Sequence, residues 1–413
     1  MTVSSNPTRE SARNDTAKPG PGSILSGHVP VLDGVRGLAI LAVLLFHFLA
    51  PVNPHSAVDK TVTWVFSYGA LGVDLFFVLS GFLITGILYD SRADPSYFRN
   101  FYMRRVLRIF PLYYAVLAVV FFIVPAIPAL HGSEIATLRS HQAWAWLYGV
   151  NIYLAINGGW GFSYLEHFWS LAVEEQFYLV WPLVVWLLAA RPRLFLAASL
   201  AVAGASFAGR IIASLSGASL ISTTVLTPFQ LDALALGGFI AVYLRQPGGE
   251  AAAGRLILPM TVAGIVLMIL QFAVRHFSEY GNAVLSLRSG AFHLLLAALL
   301  LKALAAAQPS LWSRFFSSRP MVILGKYSYG LYVYHHFFSH YFHKHGTEFA
   351  LASRIGCSPP VALVIQAVGG MAVSMVIAWV SYEYFEKFFL KLKRFWPSST
   401  AVPQTAAVNQ VSP

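Results

Sequence analysis

Residues 31–50 read VLDGVRGLAILAVLLFHFLA, a run that is long and apolar enough to cross a membrane as a helix. The run also holds Asp33, Arg36 and His47, and ionisable side chains at bilayer depth are costly and therefore mark functional sites by default. It lacks a clear small-x-small cleavage site, which separates it from a signal peptide. We interpret it as an uncleaved first membrane helix.

The composition of the whole chain agrees with this interpretation. Of its 413 residues, 57% are hydrophobic and only 11% are charged, whereas an ordinary soluble domain carries about 25% charged residues. A soluble fold could not bury this much apolar surface, so most soluble enzyme classes are excluded. The single cysteine, Cys357, excludes an internal disulfide and a cysteine zinc cluster.

Apolar runs of similar length recur along the chain. They predict an all-α, polytopic membrane protein with about ten transmembrane helices. The predicted spans cover residues 31–50, 69–89, 106–125, 168–189, 194–213, 226–244, 256–274, 289–307, 321–342 and 361–385. We expect a disordered tail over 1–30, a membrane domain over 31–390, and a basic, then disordered tail over 391–413.

The distribution of positive charge sets the orientation. Residues 142–157 are apolar but short, and we place them at the outer interface without crossing. With both termini cytoplasmic, 20 of the 28 Lys and Arg residues then face the cytoplasm, six face outward and two lie within spans. If 142–157 did cross, this asymmetry would largely vanish, so the positive-inside rule favours the first arrangement.

Arg36 and His47 are eleven residues apart on the first helix, close to three full turns. They therefore point the same way and lie roughly 16 Å apart along the axis. Asp33 falls on that face as well. An imidazole in an apolar wall suits a general base near neutral pH. The plainer alternative is an Asp33–Arg36 pair at the helix start and a core histidine bonded to a neighbour.

A basic cluster precedes and enters the third span. Arg105 and Arg108 are three residues apart and Arg104 and Arg108 are four apart, so they share a helix face. Guanidinium groups at a helix mouth suit bidentate phosphate binding. The alternative is topogenic charge that holds anionic lipid.

Several acids lie inside apolar helices. Asp74 needs a partner, and an arginine is the ordinary one. Glu174 and Glu175 are adjacent within the fourth span, which is hard to explain structurally. Asp232 is a further intramembrane acid, with Arg210 nearby in sequence as its candidate partner.

The ninth span carries Tyr332 and His335, followed by more histidines. His336, His340 and His343 have a helical spacing compatible with metal binding. No strong acid or thiol accompanies them in sequence, so we predict no metal site. Nucleotide-binding and hydrolase motifs are absent, as is any nucleic-acid module.

Together these motifs are similar to a known family. The chain resembles the acyltransferase-3 family of integral membrane O-acyltransferases over about residues 30–390. The matching segments are Leu32 to Phe48, Gly72 to Thr85, Arg104 to Tyr114, Trp169 to Pro182, Gly325 to His335 and the Glu386 region. Phe388 stands where the family usually has proline, which loosens the end of the last helix but leaves the chemistry untouched.

The resemblance implies residue roles. Arg36 and His47 match a family pattern linked to catalysis, and Arg105 and Arg108 match one linked to acyl-CoA binding. Recurrent positions without a fixed role are matched by Glu174, Glu175, Tyr332 and His335.

The resemblance also implies a reaction in a multi-pass protein of the cell (inner or plasma) membrane. An acyl group, often acetyl, moves from cytoplasmic acyl-CoA to a hydroxyl of a carbohydrate or lipid-linked glycan. We expect acyl-CoA phosphates on Arg105, Arg108 and perhaps Arg104, with His47 as the base or transient acyl carrier. Arg36 positions the donor or stabilises the oxyanion, and Glu174 or Glu175 orients the acceptor at the outer mouth. The alternative class is a proton-coupled transporter or glycan exporter, since intramembrane Asp, Glu and His also serve proton relays.

Overall fold

The structure is a computed structural model that describes residues 29–49, 57–127, 133–275, 281–305 and 310–397. Within these ranges the chain is helical and contains no strand, as the apolar runs predict. The expected tails over 1–28 and 398–413 lie outside the described residues. Lys391 and the residues up to Phe395 are helical and continue the last long helix.

Eighteen α-helices follow in chain order. The first nine are α1 Pro30–Leu49, α2 Ala57–Ser67, α3 Leu71–Asp90, α4 Tyr97–Ala118, α5 Ser133–Ser140, α6 Gln142–Trp146, α7 Val150–Asn157, α8 Phe168–Leu188 and α9 Pro192–Leu215. The other nine are α10 Leu220–Val225, α11 Leu231–Leu244, α12 Gly249–Val274, α13 Gly281–Ala305, α14 Leu311–Phe316, α15 Arg319–His345, α16 Thr347–Ile355, α17 Pro359–Ser381 and α18 Lys387–Lys391.

Eight helical stretches of the described chain are long and apolar enough to cross a membrane, which confirms a multi-pass membrane protein. The predicted spans 226–244 and 321–342 fall on α11, which has only 14 residues, and on α15, which is long but more polar. The count of about ten therefore stays a prediction. Residues 142–157 form the two short helices α6 and α7, each too short to span.

Glycines bring α1 and α15 into backbone contact. A methyl group added at Gly34 would lie 1.7 Å from the carbonyl oxygen of Phe316, and one at Gly37 would lie 2.0 Å from that of Met321. On the facing helix, a methyl group at Gly325 would lie 1.9 Å from the carbonyl oxygen of Asp33. Such approaches are possible only where a helix lacks side chains. They fix the helix that carries Arg36 and His47 against the helix that carries Tyr332 and His335.

The opposite side of α1 packs against α3 by the same device. A methyl group at Gly72 would lie 2.3 Å from the carbonyl oxygen of Ala39. Helix α3 in turn meets α11 closely, because Gly81 and Gly237 leave no room for a side chain between the two backbones. The functional face of α1 is therefore held between α3 and α15 at close range.

Candidate active site

Two spaces lie beside α1, and their linings differ in chemistry. The first is a cavity of about 750 Å³ that is lined by His47, His167, His336 and His340, among others; we call it the histidine cavity. The second is a pocket of about 120 Å³ that we call the arginine pocket. It is lined by Arg36, Val73, Phe76, Phe77, Ser80, Arg105, Arg108, Ile109, Ser170, Leu171, Glu174, Tyr178, Ser328, Tyr329 and Tyr332.

Three arginines from two helices converge on the arginine pocket. Arg36 comes from α1, and Arg105 and Arg108 come from α4. Arg36 and Arg105 each interact unfavourably with the charge of Arg108. The Nε atom of Arg105 is buried and has no hydrogen-bond partner, which is costly for an ionised donor. The arrangement stores positive charge and an unused donor that an anion would satisfy.

The carboxylate of Glu174 also lies in the arginine pocket. It accepts a hydrogen bond from the Ser80 hydroxyl, whose oxygen accepts one from the Tyr178 hydroxyl at 3.2 Å. We expected Glu174 or Glu175 at the outer mouth, and this placement is wrong for Glu174 because its helix turns that face toward the arginines. Glu175 lies outside both sets of lining residues, and its Oε1 is buried without a hydrogen-bond partner.

Arg104 points away from the arginine pocket and toward the end of the last helix. Its Nη1 donates to the backbone carbonyl of Trp396 at 3.0 Å. Lys393, from the same terminal segment, feels the charges of all four arginines of the group, including Arg104 and Arg36. The pair of Arg36 with Asp33 is present as predicted, with Nη1 and Oδ1 3.2 Å apart.

His47 faces the histidine cavity and contacts His335 on α15. The Nδ1 of His335 lies 2.7 Å from the carbonyl oxygen of Tyr332 and 3.1 Å from that of Leu331. Both neighbours are acceptors, so Nδ1 of a neutral His335 carries the proton and its Nε2 accepts. That Nε2 lies 3.3 Å from His47 Nδ1, which also lies 3.0 Å from the Val43 carbonyl.

This chain of contacts fixes the tautomer of His47. Its Nδ1 faces only acceptors, the Val43 carbonyl and the His335 Nε2, so Nδ1 carries the proton. The Nε2 of a neutral His47 then holds the free lone pair. His335, whose role the sequence left open, is therefore placed to orient His47 and to keep Nε2 basic.

Tyr332 separates the two spaces and, with Val73, lines both of them. Its hydroxyl shares a 2.5 Å hydrogen bond with the Ser170 hydroxyl and donates to the backbone carbonyl of His167 at 3.0 Å. The ring is thus tied to the start of α8. A side chain in this position controls how the arginine pocket communicates with the histidine cavity.

Glu166 is a site residue that sequence reasoning did not single out. It precedes α8, and its Oε1 lies 3.5 Å from Nε2 of His336 on α15. Burial raises the pKa of the Glu166 carboxyl to about 7, because its charged form loses water there. The only sequence signal was its position next to His167 at the start of an apolar helix.

The wall of the histidine cavity contains a buried polar network. The predicted pair of Arg210 and Asp232 is present, with Nη2 and Oδ2 2.5 Å apart. His293 Nδ1 lies 2.8 Å from the same Asp232 oxygen, and its Nε2 lies 3.4 Å from Asp74 Oδ1. Among the described residues, the ionic partner of Asp74 is therefore a histidine, and the expected arginine was wrong. The network joins α3, α9, α11 and α13.

The sequence matches a family model described as an acyltransferase domain, acyltransferase-3, over residues 29–383. The chain belongs to this family. The assignment confirms the resemblance that the motifs indicated and, with it, the expectation of an acyltransferase.

Named relatives of this acyltransferase are bacterial. The O-acetyltransferase OatA of Staphylococcus aureus (strain NCTC 8325 / PS 47) is 28% identical over 75% of this chain and 50% of the relative. The peptidoglycan O-acetyltransferase OatA of Listeria monocytogenes is 29% identical over 75% of this chain and 49% of the relative. The putative peptidoglycan O-acetyltransferase YrhL of Bacillus subtilis (strain 168) is 29% identical over 75% and 48%.

The chain thus spans about half the length of these curated relatives. No solved structure matches it significantly.

Proposed function

We propose that this protein transfers an acetyl group from cytoplasmic acetyl-CoA to a hydroxyl of a cell-wall glycan such as peptidoglycan. One observation carries the proposal: a pocket of three arginines and a cavity with an oriented histidine adjoin each other across Tyr332. The first suits an anionic donor, and the second suits a neutral acceptor that must lose a proton. The names of the relatives supply the acetyl group and the glycan.

The arginine pocket supports a phosphorylated donor. Arg105 has an unused buried donor, and guanidinium groups bind phosphate oxygens in a bidentate manner. A volume of about 120 Å³ is too small for a whole CoA molecule. We therefore place the nucleotide phosphates at its mouth, near Arg104 and Lys393, with the narrow acyl-bearing arm inside.

The orientation follows from the charge count. The α4 arginines and the basic end of the chain belong to the side that holds 20 of the 28 Lys and Arg residues, and the positive-inside rule makes this side cytoplasmic. The histidine cavity then opens toward the outside. Both termini are cytoplasmic in this arrangement.

In the proposed reaction His47 acts as general base. Its Nε2 takes the proton of the acceptor hydroxyl as that oxygen attacks the thioester carbonyl. A carbon–oxygen bond forms, the carbon–sulfur bond breaks, and the departing thiolate takes up the proton to give CoA. His335 acts as a positioning residue, because it holds the proton of His47 at Nδ1.

The separation of Arg36 from His47 favours one role for Arg36. The two residues lie roughly 16 Å apart along α1, and they line different spaces. Oxyanion stabilisation requires donors about 3 Å from the reacting oxygen. We therefore assign Arg36 to binding and orienting the donor.

The histidine cavity offers suitable groups for a sugar. Trp160 and Trp169 supply flat apolar faces, and Asp74 and Glu166 can accept hydrogen bonds from hydroxyls. Glu174, which lies with the arginines, is assigned to the donor side. It balances part of the positive charge that the pocket holds before the donor binds.

The test is acetyl transfer by the full chain purified in detergent. Acetyl-CoA labelled in its acetyl group is supplied with soluble peptidoglycan fragments, and both CoA release and label on glycan are measured. We expect both products from the native protein and a strongly reduced yield from Arg105→Ala. Arg99→Ala, an exposed arginine of the same helix, serves as the matched control.

The outcomes separate the proposal from its alternative. Turnover in detergent, where no proton gradient exists, argues against a proton-coupled transporter. If the native protein neither releases CoA nor binds acetyl-CoA, the proposal is wrong and the transporter takes its place. Binding and CoA release without labelled glycan would overturn the acceptor alone.

A further inference from the structure

Three side chains from two parts of the chain meet at the rim of the histidine cavity. His336 and His340 are one turn apart on α15, and Glu166 approaches them from the segment before α8. Each offers a nitrogen or carboxylate oxygen, and these three ligand atoms all lie within 4.8 Å of one another. The sequence showed the two histidines but not the acid, which lies 170 residues from His336 in the chain.

The distances exceed those of hydrogen bonds and fit those of a shared ion. Glu166 Oε1 and His336 Nε2 are 3.5 Å apart, too far for a good hydrogen bond. Around a tetrahedral Zn²⁺, bonds of about 2.1 Å place neighbouring ligand atoms about 3.4 Å apart. The spacing therefore leaves room for an ion between the two groups.

The ligand atoms also lack other partners. Both ring nitrogens of His336 are buried without a hydrogen bond, and so is Nε2 of His340. The His336 side chain is only 7% exposed, so water does not compensate. Buried polar atoms are nearly always paired in native structures, and a cation bound between them would account for these.

A second histidine group in the same cavity is a weaker candidate. His47, His335 and His336 also bring their ligand atoms within 4.8 Å. His47 and His335, however, bond to each other and to backbone carbonyls. That group also contains no acid to offset the charge of an ion.

The surroundings of the Glu166 group complete the picture. Glu134 Oε2 lies 3.7 Å from His340 Nε2 and 2.8 Å from Lys344 Nζ. Lys344 thus neutralises Glu134, which serves as an outer partner of His340, and outer carboxylates of this kind commonly orient metal-bound histidines. Only three protein ligands approach closely, so a fourth coordination position remains toward the cavity.

We propose that Glu166, His336 and His340 form a binding site for a divalent transition-metal ion of the zinc class. Two histidines one helical turn apart with a carboxylate from elsewhere are a common zinc ligand set. The ion ties the start of α8 to α15 at the rim of the cavity. The inference is independent of the proposed acyl transfer, because it rests on ligand geometry alone.

The experiment measures metal on the full chain, purified in detergent without a histidine tag. After removal of metal with a chelator, the protein is titrated with Zn²⁺, and with Co²⁺ for its visible absorption. We expect one equivalent to bind and a cobalt spectrum typical of a four-coordinate site. Glu166→Gln and His340→Ala should each weaken binding by more than the roughly 10- to 100-fold that loss of an outer partner costs.

His345→Ala is the matched control, because this histidine is exposed near the end of the same helix and should leave binding unchanged. Gel filtration checks that each variant remains folded, and Glu166→Gln preserves the shape of the side chain if His340→Ala does not. Failure of the native protein to bind either ion, or equal binding by folded Glu166→Gln and His340→Ala, would overturn the proposal. Acetyl transfer is not needed as a readout.

Discussion

The arginine pocket and the histidine cavity are neighbours with opposite designs. The pocket encloses about 120 Å³ between fixed positive charges, whereas the cavity encloses about 750 Å³ and is rich in imidazoles. Fixed charge suits the retention of an anion, and an imidazole can gain and lose a proton near neutral pH. The comparison teaches that binding and proton transfer are assigned to different ends of the same helix, α1.

The largest expected effect is that of removing the base. His47→Ala should lower the turnover of acetyl transfer by about 10²- to 10⁴-fold, which is the usual contribution of a general base. Acetyl-CoA affinity should remain unchanged, because the arginine pocket is intact. Steady-state kinetics and equilibrium binding measure the two quantities.

A cavity-lining role alone would not produce that split. His345→Ala, exposed on the same helix as His335, is the control and should retain full turnover. Full transfer by His47→Ala would remove this histidine from the chemistry and end the division of labour between the two spaces.

The complementary change is in the arginine pocket. Arg105→Ala removes charge-assisted hydrogen bonds that are worth about 1.5–3 kcal/mol each. Acetyl-CoA affinity should fall roughly 10- to 150-fold, with a smaller effect on turnover at saturating donor. Isothermal titration or competition binding measures the loss, and Arg99→Ala should bind normally. Unchanged affinity would return Arg105 to the topogenic interpretation.

The close contact of α1 with α15 holds the two spaces in register. Gly325→Ala would place a methyl group 1.9 Å from the Asp33 carbonyl oxygen, and overpacking of this kind costs typically 1–3 kcal/mol. We expect a lower melting temperature in detergent. Gly254→Ala on α12, where no atom lies within 4 Å of the added methyl group, should melt like the native protein. Equal melting of both variants would show that α15 can shift away from α1 without cost.

The smallest expected effect concerns the wall between the two spaces. Tyr332→Phe removes the hydroxyl that bonds to Ser170 and to the His167 carbonyl, a loss of about 0.5–1.5 kcal/mol. We expect a several-fold rise in the ratio of CoA released to acetyl transferred, because water reaches the thioester more easily. Tyr334→Phe, whose hydroxyl bonds to Ser381 on α17, is the control. An unchanged ratio would mean that Tyr332 does not separate the spaces.

The sequence predicted most of what lies along single helices. The apolar runs located the long helices, the three-residue spacing of Arg105 and Arg108 placed both on one pocket, and Asp33 and Arg36 form their predicted pair. These predictions held because helical periodicity alone decides which side chains share a face. Where a span was short, as in α11, or polar, as in α15, composition did not define it.

Contacts between helices were beyond the sequence. Glu174 was expected near the acceptor but lies with the arginines, and Asp74 meets His293 where an arginine was expected. Likewise, nothing in the sequence joined Glu166 to His336. The rotation and depth of each helix depend on its packing against several neighbours, and local periodicity contains no information about which helix those neighbours are.

The sequence by itself determined that this is a multi-pass membrane acyltransferase and which residues carry its chemistry, because apolar length and motif spacing are local properties. Only the tertiary structure decided that these residues form two spaces, that His335 orients His47, and that an acid joins the histidines of α15. Those facts depend on glycine-mediated contact between α1 and α15, and a contact between distant segments becomes fixed only when the helices pack together.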